Sequence, residues 1–282
     1  MNESYEIGHR LIVVVSDKTA EAMREAQMAQ EVTEDSFVTK IARSVFSLYG
    51  EPFAITLGKQ TVALIQTIMD ALDKGADLTT ISYSESKKLN LIFSPGHPRE
   101  NVVYAQHPAN PRMYYTASSF HRQAFEHKFA EVIVLLSSLG AKEIKVEHVS
   151  GWDQEFSAGI GLATPIQDSA TVGVGKNGAE NSALLFEAKL TGHDAPSIPD
   201  NLTWYPHEAL WQAVATARVE NGLKNFNLSL TYSDDYGLNA GFKATIKGTG
   251  LDLGGKFEEH QSTVWKITGT FGPTSLQGHA DV

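Results

Sequence analysis

The sequence predicts an α+β fold, with a helical N-terminal part and a mostly antiparallel, long-stranded sheet covered by helices near 119–139 and 207–221. Three observations carry that prediction. First, Phe226 to Phe271 alternates between apolar and polar residues almost without interruption, as a three-strand meander would. Phe226, Leu228, Leu230 and Tyr232 share one face, and Tyr236, Leu238, Ala240, Phe242, Ala244 and Ile246 follow in phase. The parity flips across Gly248-Thr249-Gly250, after which Leu251, Leu253, Phe257, Thr263, Trp265, Ile267 and Phe271 continue it. A one-residue flip at a Gly-rich turn is what a hairpin with one fixed inner face requires. Second, the segments near 119–139 and 207–221 have helical character and Gly140 and Gly222 as stops. Third, helices gather at the front of the chain and strands at the back, unlike the regular strand–helix alternation of a parallel sheet.

Taken in order, Leu11 to Val15 is a short β-rich run, and Ser16 or Asp17 can cap a helix through Ala20, Met23 and Ala26. A second helix is predicted over Phe37 to Leu48, and a third over about Lys59 to Lys74, where Val62, Ile65, Met69 and Leu72 form a stripe. Leu78–Ser84, Leu89–Phe93 and Asn101–Gln106 read as strands, the last two joined by a Pro- and Gly-containing loop. The run through Pro108 and Pro111 reads as extended loop. Phe125, Phe129, Val132, Ile133, Leu136 and Leu139 mark the buried face of the next helix. Strands follow around Ile144–His148, Phe156–Leu162 and Phe186–Leu190, with a Gly-rich loop at Asp168–Asn181 between the last two. Pro206 suits the first turn of the helix from about His207 to Asn221, and Gly222 its C′ position.

A chain of 282 residues can bury roughly three quarters of its extended surface. Because the helix near 119–139 can cover one sheet, a single mixed domain over 1–282 is expected. The alternative places a boundary near Gly140–Gly151, giving a helix-rich 1–140, a β-rich 141–271 and a polar tail 272–282. A net charge of −10 disfavours nonspecific binding to nucleic acid, so no nucleic-acid partner is expected. The absence of cysteine removes disulfide scaffolds, thiolate zinc sites and cysteine nucleophiles together. Acidic Glu3 and Glu6 precede the first apolar run where a signal peptide would be basic, and no stretch approaches the ~20 apolar residues of a spanning helix. A cytoplasmic location is the expectation.

The densest polar cluster lies between His97 and Lys128. His97, Arg99, His107, Arg112, His121 and Arg122 are the anion-binding candidates, because forked guanidinium groups and imidazoles suit phosphate or carboxylate. The helix start near Ser119 would add a favourable dipole. Their spacing matches no catalytic signature, and His97 and His107 would be roughly 20 Å apart along an extended strand. No catalytic residue is assigned. Gly173-Val174-Gly175-Lys176-Asn177-Gly178 matches a dinucleotide loop without the strand before it or the helix after it. Gly58-Lys59-Gln60-Thr61 is not a phosphate loop, because Gln60 stands where its Ser or Thr is required and Phe53 where its first glycine is. Asp234-Asp235 and Glu258-Glu259-His260 can hold a hard cation only if the sheet brings them together. No metal or cofactor is predicted.

The meander supplies the remaining candidates, Phe242, Phe257 and Trp265, which suit a core, a partner or a lipid. Its two-faced strands are also what a membrane β-hairpin displays. In this architectural sense the chain is similar to the gasdermin and perforin-like pore formers, which implies membrane contact through extendable hairpins. The expected function is therefore a non-catalytic one, binding a protein partner or self-assembling as a homo-oligomer, with a membrane-acting effector as its sharper variant. The rival expectation is an enzyme or sensor for a phosphorylated or carboxylated small molecule, using the cluster from His97 to Arg122.

Overall fold

The computed structural model describes residues 10–30, 63–71, 74–152, 184–247 and 249–274. The helix expected over Phe37–Leu48, the alternation Phe156–Leu162, both glycine motifs and the tail beyond Thr274 lie outside the described residues. The fold is α+β, and the chain divides into two compact units, 1–124 with 236–259 and 125–235 with 260–282.

The first unit is built on a five-stranded sheet. β1 (Leu11–Val15) pairs in parallel with β2 (Thr79–Ser82) and antiparallel with β4 (Val103–His107). β4 pairs antiparallel with β5 (Asn110–Thr116), which pairs in parallel with β3 (Ile92–Phe93). The apolar run of β1 lacks alternation because both its faces are covered. Val13 and Val15 join Ile68, Phe120, Leu238, Ile246 and Leu251 on one face. Ile12 and Val14 join Ile81, Tyr104 and Tyr114 on the other. Ser16 starts α1 (Asp17–Gln30) by accepting a hydrogen bond from the Thr19 N–H at 3.1 Å. Residues 63–71 form α2, with Ile65, Ile68 and Ala71 buried. Where the sequence reads as strand through Ser84, the chain turns at once into α3 (Tyr83–Lys88), because Ser82 and Glu85 form a reciprocal capping box.

The segment around Pro111 is strand, not loop. Pro111 sits in β5 opposite the register shift at Gln106/His107, where a missing N–H is tolerated, and its carbonyl accepts from the Gln106 side chain at 2.9 Å.

The three-strand meander is also corrected. Its first strand is β8 (Asn225–Tyr232), but the middle segment is helix α6 (Ala240–Lys247) and belongs to the first unit. Leu238, Phe242 and Ile246 are four apart, so they satisfy helical spacing as well as alternation. Exposure separates the two readings: Leu238 and Ile246 are buried while Ala240 and Ala244, which share their strand parity, are exposed. Asn239 caps the helix, its Oδ1 accepting from the Gly241 and Phe242 N–H groups. The long third strand shortens to β9 (Thr263–Phe271), because Gly254 and Gly255 turn the chain with φ of 83° and 143°.

The second unit is a four-stranded antiparallel sheet in the order β7 (Leu184–Lys189), β6 (Ala141–Ser150), β9, β8. Helix α4 (Phe120–Ser138) lays Phe125 and Phe129 on the Trp265 ring at 4.7 and 5.4 Å, both edge to face. Helix α5 (Ala209–Asn221) buries Trp211, Ala215 and Arg218 and ends on Gly222 in the left-handed region. Two buried charges then tie chain ends together. Arg218 donates to the carbonyls of Leu139, Leu223 and Gly272 at 2.8–2.9 Å, and Glu131 accepts the N–H groups of Thr203, Trp204 and Tyr205 at 2.7–2.8 Å.

Candidate functional site

β4 sets the two ends of the histidine and arginine cluster. At its start stands Tyr104, whose hydroxyl accepts from the Arg99 N–H at 2.7 Å and lies 2.7 Å from His97 Nδ1. The amide donates to the phenol oxygen, which also shares a hydrogen bond with the His97 ring. Burial lowers the His97 pKa, with the Arg99 charge adding to it, and burial raises that of Tyr104. Burial likewise pushes the neighbouring Tyr114 phenol up to about 12, against a hydrogen bond from Gln106. The Arg99 side chain turns back to the Gly96 carbonyl. His97, Arg99 and Tyr104 thus form a hydrogen-bonded unit that closes the loop before β4.

His107 is at the other end of the strand. It is 2% exposed, its Nδ1 accepts from the Ala109 N–H at 3.1 Å, and its ring meets Tyr115 edge to face. Arg112 is exposed at the start of β5. His121 is fully buried, with Nε2 2.8 Å from the Leu238 carbonyl. Arg122 pairs with Glu258 at 3.1 Å. The six candidates therefore do not form one anion site. His107 does border a cavity of about 240 Å³, and Leu238, the partner of His121, lines the same cavity. Arg10 lines it as well, and sequence reasoning passed over that residue. Only the β1–β4 pairing, where the Gln106 N–H donates to the Arg10 carbonyl at 2.8 Å, brings it there.

The aromatic candidates have packing roles. Trp265 is fully buried, and its Nε1 donates to the Trp152 carbonyl at 2.8 Å, so it has no surface to offer a partner. Phe242 and Phe257 lie against each other at 6.5 Å, with the Lys243 ammonium over Phe257 at 5.5 Å. Glu259 is taken by Lys243 at 3.4 Å, and Glu258 by Arg122. Among the described residues no group of histidines and acids could hold a metal ion.

The remaining site is the outer edge of β8. Among the described residues this strand pairs with β9 alone, in a register without interruption, and its exposure alternates strictly. The Lys224 carbonyl accepts from the Phe271 N–H at 2.8 Å, so it faces β9. With a two-residue period, the backbone groups of Phe226, Leu228 and Leu230 also face β9, and those of Asn225, Asn227, Ser229 and Thr231 face outward. The Thr231 carbonyl accepts from Lys128 Nζ at 2.8 Å, and the Lys128 ammonium also meets Glu208 and the Trp204 ring. Among the described residues, the outward groups of Asn225, Asn227 and Ser229 have no protein partner. From Asn225 to Tyr232 the strand holds no charge and no proline. No family model, curated protein or solved structure matches this chain.

Proposed function

We propose that this protein acts by strand-to-strand self-association, joining the free edge of β8 to the same edge of a second copy. The observation that supports this reading is the unblunted edge itself. Long edge strands are usually protected by charge, proline, bulges or brevity, and β8 has none of these. Antiparallel pairing about a two-fold axis at Asn227 would set Asn225 opposite Ser229 of the second copy and the reverse. Each such pair exchanges two backbone hydrogen bonds. The Thr231 carbonyl, already held by Lys128, marks where that ladder ends. The uncharged strand brings no like charges together at the seam, although each copy carries −10 overall.

Light scattering after size-exclusion chromatography tests the reading. A dimer is expected at micromolar concentration, strengthened by salt as the overall repulsion is screened. Ser229→Pro, which removes an outward N–H, and Asn227→Lys, which sets two ammonium groups face to face, are each expected to give monomers. A wild-type protein that stays monomeric to millimolar concentration, or variants that associate as wild type does, would sink the proposal.

A further inference from the structure

We infer that the cavity between β1, β4 and the Tyr236–Leu238 segment is a binding site for a small organic carboxylate with an apolar body. Its walls are apolar where Leu11, Phe120 and Leu238 stand, and its charged groups are unbalanced. Arg10 and His107 line it and no carboxylate does, in a chain whose net charge is −10. Among the described residues the guanidinium of Arg10 makes no hydrogen bond or ion pair, and a planar fork of this kind suits a carboxylate. His107 accepts from Ala109 through Nδ1, which places its proton on Nε2.

The far wall carries a backbone outlier. Tyr236 has φ of 49°, in the left-handed region that bulky residues rarely enter. The surroundings fix it there: its ring meets Phe120 edge to face at 5.8 Å, and His121 binds the Leu238 carbonyl two residues on. Strain of this kind gathers at ligand clamps. A volume of about 240 Å³ suits a one-ring acid. One permanent cation with apolar walls fits a monoanion better than phosphate, which needs several donors.

Calorimetric titration with benzoate tests the site, with benzyl alcohol and inorganic phosphate as comparison probes. Saturable benzoate binding with Kd on the order of 1 mM or tighter is expected, with neither comparison probe matching it. Arg10 is exposed, so Arg10→Ala is expected to fold normally and to weaken benzoate about tenfold or more, while Arg10→Lys loses less. The inference is overturned if benzoate does not bind saturably, if benzyl alcohol or phosphate binds as well, or if Arg10→Ala binds benzoate like wild type.

Discussion

In the first unit the sheet ends on short strands: β2 has four residues and runs directly into the capped helix α3, and β3 has two. In the second unit one end is β8, eight uncharged residues whose outward backbone groups at Asn225, Asn227 and Ser229 have no protein partner among the described residues. Among the described residues, the chain thus shortens its exposed strand edges in one sheet and presents a long one in the other. Brevity and an immediate helix cap withdraw an edge from pairing, whereas a regular register over eight residues presents it. Sheet edges with no function are expected to be blunted, so the contrast itself directs attention to β8.

The sharpest way to break this comparison is to remove what keeps the second sheet in shape. Arg218 binds three carbonyls at the ends of α4, α5 and β9 from a position 1% exposed. Arg218→Ala is expected to cost about 3–5 kcal/mol, because it leaves buried acceptors without donors. Arg218→Lys should recover only part of that, since a single ammonium cannot reproduce the fork. Denaturant unfolding checks both, and an Arg218→Lys protein as stable as wild type would show that charge, not geometry, is what matters there.

A smaller effect tests the edge residue by residue. Leu228 turns its N–H towards β9 and Ser229 turns its own outward. Leu228→Pro should therefore cost about 3 kcal/mol or more by breaking the ladder. Ser229→Pro should cost under about 1 kcal/mol in the monomer while abolishing association. Equal destabilisation by the two prolines would mean that the outer side of β8 is not open.

How much of this was legible in the sequence follows from the range of the interactions involved. β8 was readable because Phe226, Leu228, Leu230 and Tyr232 alternate against polar neighbours, a signal within one strand. The next segment misled because Leu238, Phe242 and Ile246 fit a period of two and a helical repeat equally. Asn239, an effective N-cap, was the local sign that separates them. Pro111 hid β5, since its strand depends on a register shift in a partner strand. Arg10 was invisible for a further reason. Its place beside His107 comes from the pairing of β1 with β4, a contact between segments far apart in sequence. The anion candidates are neighbours along the chain, a proximity that strand pairing does not respect.

The smallest expected effect is the pH dependence of stability, and it bears on both units. Burial lowers the pKa of His97 in the first unit. It also lowers those of His127 and His260 in the second, where Glu131 opposes it at His127 and Asp235 and Asp234 at His260. Below the ordinary histidine value of about 6.5 the unfolded chain then binds more protons than the folded one. Stability contributed by the neutral forms is full above that value and is lost as the pH falls through it towards the folded values. Thermal unfolding is therefore expected a few degrees lower at pH 5.5 than at pH 7.5. His97→Gln should flatten the dependence for a probe in the first unit, and His260→Gln for one in the second. If either variant leaves its own unit's slope unchanged, that histidine is not the group whose protonation the fold resists.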